Sequence, residues 1–213
     1  MAKLTVTTVT TDPKEFLSTD SDITIYSNWQ LSWDAAHDAA TGTLSSDTDV
    51  MPRTAYDAFG LPLKTSKWVC ERGFLYFDTS SLAGLTITGA ILSVYVYAKQ
   101  FTNAGHADLH IVQGVQDDPA QPDDFGDHLL KVTSGGSIAY DGIVVDDYND
   151  ITLNGFGRSW INKVGTTKFC IKVSGDIDDL APSGPSSGNA IYFSNDEVQP
   201  PLLASWSQAY IIG

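Results

Sequence analysis

Nucleophilic catalysis needs a serine or cysteine beside a histidine, with a carboxylate behind it. The chain offers His37, His106, His110 and His128, none near a G-x-S-x-G elbow. Ser159 in "GFGRSWIN" reads as filler beside the core anchor Trp160. Glycoside cleavage needs two facing carboxylates. With 26 acidic residues, pairs are too plentiful to single one out. Eight of the acids fall as loop doublets: Asp117–Asp118, Asp123–Asp124, Asp146–Asp147 and Asp178–Asp179. Such doublets suit solvation or calcium better than catalysis. EF-hand spacing is missing. Asp20 and Asp22 in "STDSD", with Asp176, Asp178 and Asp179 in "SGDIDDL", still offer hard oxygen ligands suited to one structural calcium ion, with plain solvation the other outcome. No G-x-G-x-x-G or P-loop implies a nucleotide cofactor, and no C-x-x-C implies zinc.

Aromatic residues offer a chemistry of contact. A sugar ring stacks its apolar face on an exposed indole or phenol. Trp29, Trp33, Tyr56 and Phe59 lie in or beside an irregular stretch and suit that role. They suit equally the ordinary fate of large aromatics, which is burial. Trp160, Trp206, Phe74 and Phe77 are expected in the core.

These residues must be held by something. The 213-residue chain is 42% hydrophobic and 18% charged, a globular composition able to bury a core without staples. Its net charge of −14 repels phosphate backbones and anionic membranes, so neither nucleic acid nor membrane insertion is expected. Cys70 and Cys170 fit one disulfide or two thiols. Cys170 alternates with Phe169 and Ile171, so it faces away from their core and is expected to be the less buried of the two. The opening "MAKLTVTTVT" lacks a signal peptide's apolar stretch, and no run reaches the length of a membrane helix. Retention in the cytoplasm, or exit by another route, is the expectation.

Alternation dominates the chain. "KLTVTTV", "DITIYSN", "KWVCERGFLYFDTSSL", "LTITGAILSVYVYAK", "ADLHIVQGV", "TTKFCIKVSG", "AIYFSNDE" and "PPLLASWS" read as strands, and "AYIIG" as a possible last one. In the second long strand Leu92, Val94 and Val96 share one face, and Tyr95 and Tyr97 add apolar surface elsewhere. That predicts a central strand covered on both sides. "DPKEFL" predicts one helical turn, with Asp12 capping and Pro13 first. "NGFGRSWINKV" predicts about two turns capped by Asn154. Residues 30–66 read as ordered loops with short strands. The sum is an all-β chain: a single jelly-roll β-sandwich over 1–213 with one or two short helices. The end strands 3–9 and 208–212 are free either to pair with each other or to join another chain.

The succession "RGFLYFDTSSL", "ITGAILSVYVYA", "GRSWIN", "TTKFCIKV" and "AIYFSNDEVQPPLLASW" resembles the DNRLRE-type domain family, including disaggregatase-related repeats and some alginate-binding modules. The resemblance covers roughly residues 20–207 and rests on blocks 72–98 and 151–206. It implies a jelly roll that works by contact. "SWDAAHDAATGT" before "RGFLYFDTSSL" is most similar to virion-associated members. The resemblance therefore implies a non-catalytic virion component (decoration, fibre or tail subunit) assembled in the host cytoplasm, whose partners are copies of itself, other virion proteins or a cell-surface polysaccharide. A secreted carbohydrate-binding module is the alternative. The family pattern also sets Arg72 before the "L-x-F-D" strand and Glu197 after "F-S", implying an ion pair; two separate surface charges are the other outcome.

Overall fold

The structure is a computed structural model that describes residues 6–10, 13–19, 22–27, 29–45, 49–58, 66–101, 106–182, 187–194, 199 and 201–212. The strands are β1 (Val6–Thr10), β2 (Lys14–Leu17), β3 (Ile23–Tyr26), β4 (Thr43–Leu44), β5 (Asp49–Val50), β6 (Arg53–Ala58), β7 (Ser66–Asp78), β8 (Thr86–Phe101), β9 (Leu109–Gln113), β10 (Gly136–Ile138), β11 (Asp147–Thr152), β12 (Thr166–Val173), β13 (Ser187–Ser194) and β14 (Leu202–Ile212). Four short helices accompany them: α1 (Trp33–His37), α2 (Asp124–Asp127), α3 (Gly155–Ser159) and α4 (Ser174–Ile177). The class is all-β, as the alternation requires.

Hydrogen bonds follow the path β1-β14-β8-β13-β6-β7-β12-β9-β10. The path folds over at β13, whose residues Asn189 and Ala190 pair with β8 on one side and β6 on the other. Two facing sheets result, giving a β-sandwich-like body. Leu75, Phe77, Phe169 and Ile171 of β7 and β12 meet Leu92, Val94, Val96, Ile191, Phe193 and Leu203 across the main core. Each follows from period-two alternation of branched and aromatic residues.

β7 and β12 are apolar on their other face too. Cys70, Phe74, Tyr76 and Cys170 build a second core with Ile25, Trp33, Val112, Ala120 and Phe125. Its lid is α1, α2, α4 and their loops, so the molecule has three layers where two were expected. Three of the four helices lie in segments that read as loops, because four or five residues are too few to display helical periodicity. Trp33 opens α1, capped by Ser32, whose side chain accepts from Ala35 N. "DPKEFL" corrects in the other direction. Lys14–Leu17 is a strand, because β14 offers it a partner edge. Among the described residues no helix is long and apolar enough to cross a membrane.

The two terminal strands pair with each other, Val6↔Ile212 to Thr10↔Gln208. β8 is central in its sheet, with β11 on one side and β13 and β14 on the other. It is not covered on both sides, however: Tyr97, opposite the core face, is 36% exposed.

Candidate functional site

Arg72 is fully buried on the second-core face of β7. The carboxylate that meets it is that of Asp176 in α4. Arg72 Nε donates to Oδ2 and Nη2 to Oδ1, both at 2.8 Å, while Nη2 also donates to the His37 carbonyl at 3.2 Å. The guanidinium lies over the Phe125 ring, 4.1 Å from its centroid. Glu197, the partner implied by the resemblance, lies outside the described residues. Lys172 is equally buried; Nζ donates to the His128 carbonyl at 2.7 Å and lies 3.5 Å from Asp176 Oδ1. Burial alone would raise the Asp176 pKa, but Arg72 and Lys172 hold it well below the usual carboxylate range. Burial likewise pulls the Lys172 ammonium down. Two cations, one fixed carboxylate and four satisfied donors make a structural clamp that ties α4 and the α1 and α2 segments onto the sheet.

Two histidines flank the clamp in opposite states. Burial works against charge on His37, yet bonds and attraction to Asp176, with help from Asp38, raise its pKa to about 9. Its Nδ1 lies 2.6 Å from Asp38 Oδ1 and its Nε2 donates to the Asp176 carbonyl at 3.0 Å. His128 is lowered to about 4, chiefly by burial, with Lys172 and Arg72 adding repulsion. Its Nδ1 donates to the Asp124 carbonyl at 2.7 Å and its Nε2 accepts from Val115 N at 3.0 Å, the pattern of a neutral ring.

The two cysteines do not meet. Cys170 stands opposite Phe74 on β7, four residues from Cys70, which at about 3.3 Å per residue is roughly 13 Å. A disulfide needs Cα atoms within about 7 Å. Both are free thiols. Cys170 does turn away from Phe169 and Ile171, but the second core buries it as fully as Cys70. Burial pushes the Cys170 thiol up to about 12 and Cys70 well above its usual value, so neither forms a reactive thiolate.

A cleft lined by rings and carboxylates lies elsewhere. About 570 Å³ in volume, it runs between β3–β5 and the ends of β7, β8 and β13. Tyr26, Trp29, Tyr97 and Tyr192 supply its rings, and Asp49 and Glu71 its carboxylates. Tyr97 OH donates to Asp49 Oδ2 at 2.6 Å. Glu71 faces Arg53 Nη1 at 3.7 Å, and Arg53 in turn lies 5.4 Å from the Trp29 ring centroid. Thr24, held by Met51 N at 2.8 Å, adds a hydroxyl to the wall. The cleft joins flat apolar rings to fixed hydrogen-bonding groups, which is the chemistry that holds a polar, ring-shaped ligand.

Of the aromatics singled out from sequence, Trp29 lines this cleft. Trp33 does not: it is 7% exposed, stacks on His37 at 5.2 Å and donates its indole N–H to Asp179 Oδ1 at 2.7 Å. Tyr56 packs on Trp68 at 4.8 Å, outside the cleft lining. Phe59 lies outside the described residues. Phe74 and Phe77 are fully buried, but Trp160 and Trp206 only half so. Among the described residues, the calcium set does not gather into one site either. Asp20 lies outside the described residues, and Asp22 Oδ1 accepts from Tyr76 N at 2.9 Å. Asp176 is taken by Arg72, Asp179 holds Trp33 from a left-handed backbone (φ 51°), and Asp178 is exposed. Among the described residues no three His, Cys, Asp or Glu side chains gather as a metal site would need. Sequence reasoning missed Tyr97, Tyr192, Asp49 and Glu71. For Tyr97 the signal was there, in its place opposite the Leu92–Val94–Val96 face; the others come together only through long-range pairing. No protein-family model matches the chain, and no curated protein compared with it matches in sequence.

Proposed function

We propose that the protein is a non-catalytic attachment module that holds a polysaccharide in the cleft between β3–β5 and the ends of β8 and β13. The observation that carries this is the lining: Tyr26, Trp29, Tyr97 and Tyr192 around the carboxylates of Asp49 and Glu71. Both carboxylates are oriented by donors, Asp49 by the Tyr97 hydroxyl and Glu71 by Arg53, which suits them to accept sugar hydroxyls in a fixed geometry. A glycan array tests it. Binding to at least one immobilised saccharide, lost in Trp29→Ala and kept in Tyr56→Ala, is the expected outcome; an array blank for the wild-type protein refutes it.

A second reading takes the chain as a virion surface subunit, contacting copies of itself or other virion proteins. The ribbon of β1 with the end of β14 favours it, since β1 ends the hydrogen-bonded path and its outer edge is a template for a further strand. The resemblance of blocks 72–98 and 151–206 to DNRLRE-type jelly rolls supports either role. Mass photometry over a dilution series separates them. A concentration-dependent oligomer that becomes monomeric on deletion of residues 1–10 favours assembly, and a monomer throughout counts against it.

A further inference from the structure

The rings of the cleft do not stop at its rim. β8 places Leu92, Val94 and Val96 in the core, so Tyr95 and Tyr97 point to the outer face. Near its end the register shifts: Tyr192 pairs with Ala98 and Phe193 with Val96, so Tyr97 is an extra residue between the two registers. This bulge sets Tyr97 beside Tyr192, with ring centroids 6.0 Å apart. Two residues back, Tyr95 stands directly opposite Tyr148 of β11, edge to face at 5.5 Å. Tyr95, Tyr148 and Tyr192 are half-buried. With about 7 Å between alternate residues on a strand, the four rings span roughly 15–20 Å, longer than one sugar ring.

Among the described residues, carboxylates line this face from end to end. Asp49 and Glu71 stand at the cleft end, and Asp150, bonded by Ser93 Oγ at 2.5 Å, stands beyond Tyr148. The nearby cations are turned to other partners. Lys99 Nζ donates to the carbonyls of Tyr140 (3.1 Å) and Ile143 (2.7 Å), and Arg53 serves Glu71. The whole chain carries −14. An acidic glycan would meet like charge along its length.

We infer that the ligand is a linear, uncharged polysaccharide bound lengthwise, from the cleft across Tyr192, Tyr97, Tyr95 and Tyr148. This rests on the cleft being a saccharide site. Affinity electrophoresis of the full chain tests it, in gels containing glucan, xylan, mannan or galactan and in gels containing alginate or polygalacturonate. Retardation is expected in at least one neutral gel and in neither acidic one. With oligosaccharides of the retarding polymer, affinity rises from disaccharide to hexasaccharide. Tyr95→Ala and Tyr148→Ala each weaken polymer binding roughly three- to tenfold, with far-ultraviolet circular dichroism unchanged. Should Tyr95→Ala fail to fold, Tyr148→Ala on the neighbouring strand carries the test. Binding that Trp29→Ala abolishes but Tyr148→Ala and chain length leave untouched overturns the lengthwise track and keeps the cleft. Retardation by an acidic polymer overturns the uncharged ligand. No retardation in any gel overturns both the track and the cleft.

Discussion

At the scale of single residues, the clamp around Arg72 decides most. Its pairing with Asp176 is two-pronged and fully buried, so breaking it strands two cations in the interior. Asp176→Ala should cost about 3–5 kcal/mol in urea unfolding. The flanking histidines give that stability a pH profile. His37 is raised to about 9, so its contribution is complete below the ordinary value of about 6.5 and is lost as pH climbs toward 9. His128 is lowered to about 4, so its contribution is complete above about 6.5 and fades as pH falls toward 4. Together they set a maximum near pH 6.5. Unfolding free energies across pH 4–9 should show it, with His37→Gln flattening the alkaline arm and His128→Gln blunting the acid one. The sequence announced that Arg72 mattered, since a scarce base sits inside an apolar strand. It could not announce Asp176, because an acid 104 residues away in a segment resembling a calcium loop carries no local mark of its partner.

At the scale of elements, alternation made the long strands legible: β3, β7, β8, β9 and β12 fall where branched and aromatic residues recur every second position. The short helices were not, apart from α3. There Asn154 caps as its type and place require, its Oδ1 accepting from Phe156 N at 2.8 Å and Gly157 N at 3.2 Å. α3 also reaches the sheet through bare backbone. A methyl group on Gly157 would run into the carbonyl of Gly135 and crowd Leu153. Gly157→Ala should therefore destabilise by about 1–3 kcal/mol despite alanine's better helix propensity, read from thermal or urea melts. The cleft's rings illustrate the other limit. Trp29 was visible as a candidate, whereas Tyr192 reached the same wall only through the pairing of β13 with β8, which no local pattern encodes.

For the whole molecule, the two apolar clusters sit back to back on β7 and β12. Neither can lose its partner sheet without exposing the other's strands, so the chain should unfold in one step. Tryptophan fluorescence and far-ultraviolet circular dichroism should give coincident urea transitions; a separate early loss of the Trp33 environment would show that the helical lid melts alone. The extra residue in β8 bears on the same scale. Up to Val96 the even positions meet the core, but beyond it Lys99 sits opposite Ile191, a core residue, so the odd positions do. The strand is two half-strands of opposite phase spliced at Tyr97. Removing Ala98 would close the splice into an unbroken ladder while keeping both halves' inward residues in place. The splice is thus a joint at which the rim could be lengthened or shortened by a residue, altering the bend of the aromatic wall without rewriting the interior behind it.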